Sequence, residues 1–480
     1  MKFCPFCSES IEDEKSFCPY CNKPLISGLD NIRNTRLRQE LYNNKSNPSN
    51  SGEEYELYEE IIMNDDEIED QIKKIDLTLE RQELLGDPIQ GALLLEKSSL
   101  YYKKRDLPNA LKILELAQKN FEDENNIINI ATCHNEIGLI QEDLGFFDQA
   151  IYYFNRSLEI LKSCNDSQKE IKVLNNLGNV YYLLKDVEQS YKYYQEALNL
   201  AKQNELIFEE VKTSSNLVEV LYILQDFDRI KRILGKNSEF FNTNEDLYGV
   251  IATHIKFGKM YYLEGNNYDE TYERMNKALE LIDRVKKNLS LQEKAKLEWE
   301  CFLYLGKLQL LWNNNVDAEN FLLQSLEAVR IFEFGDNIKE GEILEELANL
   351  YSKKKNTERE LEYYNLAYEI FYKYGNNAKC ADLKVKIALL YSNSEKDKSR
   401  VVQYYEEALN LYEDLGYVKE AAILLNKLGD YYIKKGLSDM AISNFEKARD
   451  YYKELQNNYN FNLINEKIKS LKSENSFSEV

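Results

Sequence analysis

The chain has 480 residues, with 61 Lys plus Arg against 83 Asp plus Glu and a formal net charge of -22. That balance favours solubility and opposes non-specific attraction to phosphate or anionic lipid, which disfavours a general nucleic-acid binder. No run approaches the roughly 18 uninterrupted apolar residues a membrane helix needs, and a Cys cluster stands where a signal peptide would be apolar, so a soluble cytoplasmic protein is expected.

Residues 1–26 carry Cys4-Pro-Phe-Cys7 and Cys18-Pro-Tyr-Cys21 in a segment too short to build an apolar core. A short loop between two Cys sets both thiolates on one side of a tetrahedral ion, and a second such loop completes four ligands. This module resembles a zinc ribbon of the Cys-Pro-x-Cys kind, which implies one structural Zn(2+) held by Cys4, Cys7, Cys18 and Cys21. Closed four-thiolate coordination leaves no position for a reacting water. Residues 27–52 end in NNKSNPSNSG and read as a flexible linker. Residues 53–88 form an acidic helical segment: from Glu53 to Asp70 no Lys or Arg occurs, and Ile61, Ile68, Ile72, Ile75 and Leu79 fall on one helical stripe. It is expected to cap the long repetitive region that begins at residue 89.

Small residues then recur at Ser98, Gly138, Gly178, Gly258, Gly306, Ala348, Ala388 and Gly429, with Val218 at the fourth station, mostly 40 residues apart. After Gly178 come Tyr181, Ser190, Tyr194 and Ala197; after Gly429 come Tyr432, Ala441, Phe445 and Ala448. No Pro occurs after Pro108, so nothing there removes a helix N–H. The period means stacked helix hairpins, since one hairpin cannot bury its own apolar face. The pattern resembles the tetratricopeptide repeat, in its variant of about 40 residues as in kinesin light chain. That likeness implies an all-α superhelical solenoid of nine hairpins over residues 89–458, with a capping helix and fraying tail over 459–480.

The fourth copy departs most, with Val218, Ile230, Leu234 and Asn237 where small residues belong. The step from Gly258 to Gly306 is eight residues too long, to be absorbed by extra helix or a loop near Asn288. Cys133, Cys164, Cys301 and Cys380 read as buried free thiols. His134 and His254 have no nucleophile or carboxylate at catalytic spacing, and no phosphate loop or nucleophile elbow occurs, so no enzyme is expected.

Positions six before, two before, one after and four after each small residue share one stripe of the first helix. In the third hairpin these are Lys172, Asn176, Asn179 and Tyr182, with Asn175 adjacent; the fourth offers Lys212, Asn216 and Tyr222, with Glu219 dissenting; the fifth offers Lys256, Lys259 and Tyr262. The resemblance places this stripe on a concave wall, where Asn amides bond a peptide backbone and Lys pairs with carboxylates. The stripe reads either as a solvated helix face of alternating charge or as a groove for a protein or peptide partner, acidic groups included; Glu96, Glu136, Glu142 and Asp143 precede the patch and Glu342, Glu345 and Glu346 come after it. The acidic residues 53–70 are a candidate occupant from within the chain. The alternative reading is a nucleic-acid- or transcription-associated factor whose contact is the zinc ribbon.

Overall fold

The computed structural model describes residues 2–3, 10–11, 65–85, 90–104, 106–332, 338–393 and 398–478. Cys4, Cys7, Cys18 and Cys21, the linker over 27–52 and the acidic residues 53–64 lie outside these. Two units are present, residues 1–62 and 63–480. In the first, strand β1 (Lys2–Phe3) pairs antiparallel with β2 (Ser10–Ile11), Phe3 opposite Ser10.

The second unit is helical. Helix α1 (Asp65–Leu85) leads, and among the described residues nine hairpins come after it: α2 (Gly91–Lys103) with α3 (Leu107–Asp123), α4 (Ile127–Asp143) with α5 (Phe147–Cys164), and α6 (Ser167–Leu183) with α7 (Val187–Gln203). They continue as α8 (Ile207–Leu224) with α9 (Phe227–Thr243), α10 (Leu247–Glu264) with α11 (Tyr268–Val285), and α12 (Leu291–Leu311) with α13 (Asn315–Phe332). The last three are α14 (Ile338–Lys353) with α15 (Thr357–Lys373), α16 (Asn377–Asn393) with α17 (Lys398–Asp414), and α18 (Val418–Lys434) with α19 (Ser438–Glu454); α20 (Asn458–Ser478) closes the array. Among the described residues no helix is long and apolar enough to cross a membrane.

Each hairpin closes where a side chain of its second helix lies on the small residue of its first. A Cβ built on Gly138 would stand 2.6 Å from Phe154 Cε1, one on Gly178 2.6 Å from Tyr194 Cε1, and one on Gly258 2.8 Å from Met275 Cε. Small residues on the second helix complete the approach from the other side, and three of them also bond a first-helix carbonyl: Ser157 Oγ donates to Ala131 O at 2.7 Å, Ser190 Oγ to Gly178 O at 2.8 Å, Ser325 Oγ to Trp299 O at 2.8 Å. Close helix approach demands small side chains at the crossing.

The fourth hairpin, lacking that Gly, uses a polar lock. Asn237 is buried, donates to Ser215 Oγ at 2.9 Å and accepts from Ser214 Oγ at 3.1 Å. Ile230 and Leu234 fill the rest of the crossing.

The turns share one recipe. A residue in the left-handed region recurs about every 20 positions, as at Asn125, Gly145, Asn165, Lys185, Glu205, Gln225, Glu245 and Gly265. The next residue is often an Asp or Asn N-cap, as with Asp166, Asp186 and Asp226, whose carboxylates accept the N–H three residues on. Bonds such as Asp186 N to Tyr181 O at 2.9 Å and Lys185 N to Tyr182 O at 3.0 Å close the preceding helix. The eight extra residues before Gly306 go into a single-turn 3-10 helix over Lys286–Asn288, a capping box between Ser290 and Glu293, and a first helix of 21 residues.

Both ends are covered. Ile68, Ile72 and Ile75 of α1 pack with Leu100, while Lys104 Nζ pairs with Glu69 at 2.5 Å and Lys97 with Asp76. Residues 65–70 of the acidic segment are therefore engaged at the array's N-terminal end and do not occupy the groove. At the other end Ile464, Ile468 and Leu471 join Phe445, Ala448 and Tyr452. Leu463, next to Ile464, is exposed, and α20 runs to Ser478 where a fraying tail is expected from the sequence; with no Gly or Pro there, nothing breaks the helix.

Gly178→Ala is expected to lower stability by about 1–3 kcal/mol through overpacking. Gly235→Ala, inside α9 with open space around it, should raise it by about 0.5–1 kcal/mol through helix propensity. Urea midpoints of the two variants should shift in opposite directions.

Candidate functional site: the inner wall of the hairpin array

First helices of successive hairpins meet directly at α4–α6, α6–α8, α10–α12 and α12–α14, which sets them on the inside of the curve. A recurring polar rung joins them. The residue three before one hairpin's small position accepts from the residue two before the next one's: Asn176 Nδ2 to Asn135 Oδ1 at 2.8 Å, Asn216 Nδ2 to Asn175 Oδ1 at 3.3 Å, Lys256 Nζ to Ser215 O at 2.9 Å, Lys386 Nζ to Glu345 Oε1 at 2.8 Å. The same rung fastens the terminal helix, where Lys467 Nζ reaches Asn426 Oδ1 at 2.9 Å.

This ladder redefines several expected groove residues. Asn175 is buried and donates to Ile171 O at 3.0 Å and Thr213 Oγ1 at 2.8 Å, so it joins α6 to α8 and does not face the groove. Lys256 and Lys259 clamp the two oxygens of Glu219 at 2.7 and 2.8 Å, and Lys259 also lies 3.4 Å from Glu300 and 4.7 Å above the Tyr222 ring. The basic centre read from the stripe is thus internally neutralised, and Glu219 is its hub. Despite burial, the two flanking ammoniums hold the Glu219 carboxyl at about 2, well under the usual carboxylate value. Lys172 is exposed and Lys212 half-buried.

Asn176, Asn179, Asn216, Tyr182 and Tyr262 remain on the wall, half-buried. Asn179 Oδ1 accepts from Tyr194 Oη at 2.6 Å, while Tyr262 meets Tyr304 edge-on at 5.2 Å. Burial pushes the Tyr262 phenol up to about 12 and raises Tyr182, on which Glu219, Glu300 and Glu342 also act. The same register carried into α12 and α14 yields Glu300, Tyr304, Lys307, Glu342 and Glu346. The first three stand at the same offsets from Gly306 that define the stripe in the earlier hairpins, so the register continues through the eight-residue insertion.

On α4, burial and the neighbouring Asp143 push Glu142 up to about 7, and its Oε2 is buried without a hydrogen-bond partner among the described residues. His134 and His254 are half-buried, each pulled below its usual pKa chiefly by burial. Cys133, Cys301 and Cys380 are buried, their thiols pushed up by desolvation, whereas Cys164 at the end of α5 is partly exposed. Among the described residues no group of three or more His, Cys, Asp and Glu is arranged to hold a metal ion.

Neutralising the hub should weaken the wall. Glu219→Gln leaves two ammoniums uncompensated and is expected to lower stability by about 2–4 kcal/mol. Since the folded pKa is depressed, the Glu219 contribution is full above about 4.5 and is lost as pH falls toward about 2. Urea titrations across that window should show a shallower acid limb in the variant than in the parent.

Comparison with known proteins agrees with the repeat architecture. Tetratricopeptide repeat family models match residues 171–204 and 422–454. No curated protein matches the chain. Among solved structures, a Signal Transduction ATPase with Numerous Domains bearing a tetratricopeptide repeat sensor, from Pyrococcus horikoshii, aligns at 15% identity and TM-score 0.43, covering 81% of this chain and 54% of its own. The present chain therefore spans about half that protein's length. The apo quorum sensor NprR from B. thuringiensis aligns at 16% identity and TM-score 0.47, covering 72% of this chain and 97% of that one. A Rap protein complexed with Competence and Sporulation Factor aligns at 16% identity and TM-score 0.49, covering 73% and 99%.

Proposed function

We propose that this chain is a non-enzymatic interaction scaffold whose inner wall holds a protein or peptide partner. The tetratricopeptide repeats at 171–204 and 422–454 support an interaction role. The observation that carries the groove is a set of half-used amides. Asn176 and Asn216 each spend Nδ2 on the ladder and keep Oδ1 without a hydrogen-bond partner among the described residues, while Asn179 accepts through Oδ1 and keeps Nδ2. An extended backbone offers the complementary N–H and C=O groups, which stay unsatisfied unless matched. Tyr182 and Tyr262 flank this strip and add rigid aromatic area at small entropic loss. Lys172 and Lys212 stand at its rim.

The N-terminal module is proposed as a second docking element, with Cys4, Cys7, Cys18 and Cys21 holding one structural Zn(2+). The donor set supports it: two Cys-x-x-Cys pairs supply four thiolates. The ion would supply folding free energy to a module too small for a core.

A photo-crosslinking residue at Lys172, on the wall, is expected to give partner adducts in cells. The same residue at Asn199, exposed on α7, should not. Equal adducts at both positions would remove the groove reading. Metal analysis of the purified chain is expected to return about one zinc, lost in Cys4→Ser/Cys18→Ser; metal retained in that variant would count against the four-thiolate site.

A further inference from the structure

The groove reading leaves the chemistry of its occupant to be decided, and the charges on the wall decide it. Three ammoniums face four carboxylates at the centre. Lys256 pairs with Glu219 at 2.7 Å, Lys259 with Glu219 at 2.8 Å and Glu300 at 3.4 Å, and Lys307 with Glu346 at 3.4 Å. Glu342 is the surplus. It is exposed and makes no ion pair or hydrogen bond among the described residues, although its field reaches Lys379, Tyr182 and Tyr304.

Tyr304 supplies a second, independent feature. Its side chain is only 7% exposed, yet its hydroxyl has no hydrogen-bond partner among the described residues. Tyr304 on α12 and Glu342 on α14 stand 38 positions apart, within the offset of 37 to 39 at which Lys256 meets Glu219 and Lys307 meets Glu346 across successive first helices. The ring is buried while the hydroxyl oxygen is not, so the phenol remains open to a visitor.

Resting on the scaffold reading above, we propose that the groove selects a ligand carrying a lysine or arginine side chain, docked between the Glu342 carboxylate and the Tyr304 hydroxyl. An incoming ammonium or guanidinium gains an unused carboxylate and a free phenolic acceptor, without breaking any pair already made. An incoming carboxylate finds Lys256, Lys259 and Lys307 engaged and meets Glu342 head on, the repulsive half of specificity. This reverses the polarity expected from the stripe of lysines.

The test uses the full chain, immobilised at about 0.15 M salt, where exposed charges are screened beyond about 8 Å. It is offered two nonapeptide pools that differ only at three fixed positions, Lys and Arg in one and Glu and Asp in the other. The cationic pool should be retained about tenfold better, the ratio set by one good charge contact. Glu342→Gln should cut that retention about fivefold or more, and Tyr304→Phe should cut it less, each removing groups with no internal partner and so sparing the fold. Asp439→Asn removes the same charge from the exposed start of α19 and should leave retention unchanged.

Equal losses in Glu342→Gln and Asp439→Asn would assign the effect to the net charge and overturn the proposal. Preferential retention of the acidic pool, with adducts at position 172 intact, would overturn the charge assignment and leave the scaffold standing. Retention of neither pool, together with no adducts at 172, would remove both.

Discussion

A bulky side chain of the second helix seated on a small residue of the first sets the spacing on which the rest of the array depends. Phe154 over Gly138, Tyr194 over Gly178, Met275 over Gly258 and Leu322 over Gly306 leave no room for a Cβ. The two helices of a hairpin therefore meet at one defined crossing. Once that is set, each hairpin presents the same faces to its neighbours. The 40-residue register then becomes a register in space, in which residue n on one first helix meets residue n plus 37 to 41 on the next.

That spatial register explains which parts of the molecule can be read from the sequence. The nine stations, the leading and trailing helices and the buried thiols are legible because volume is constrained at single positions: only small residues fit beneath Tyr194 or Phe445. The fourth hairpin looks defective in composition, yet Asn237, Ser214 and Ser215 satisfy one another where Gly is missing. Its polar lock depends on a bond between helices, which composition at one station does not express. The turn recipe is also hidden, since a left-handed Lys185 or Glu205 carries no glycine signature.

The groove is the least legible part. Lys256 and Lys259 lie on the predicted stripe, but the partner that neutralises them is on the preceding hairpin, 37 and 40 residues back. Asn175 likewise faces the next first helix instead of solvent. A charge on an isolated helix face reads as available for binding; in a stack, much of the inner wall joins one hairpin to the next. Charges without such a partner, as at Glu342, are the ones free to contact a visitor.

The uniform turn has a geometric corollary. Because a left-handed residue closes first-to-second and second-to-first connections alike, the one over Lys286–Ser290 excepted among the described residues, these loops do not distinguish one side of the stack from the other. Bending must arise from a mismatch in side-chain bulk between the inside and outside layers, distributed over every joint. The radius of the coil is then a quantity that single substitutions on either layer can adjust in small steps, with the connecting segments left untouched.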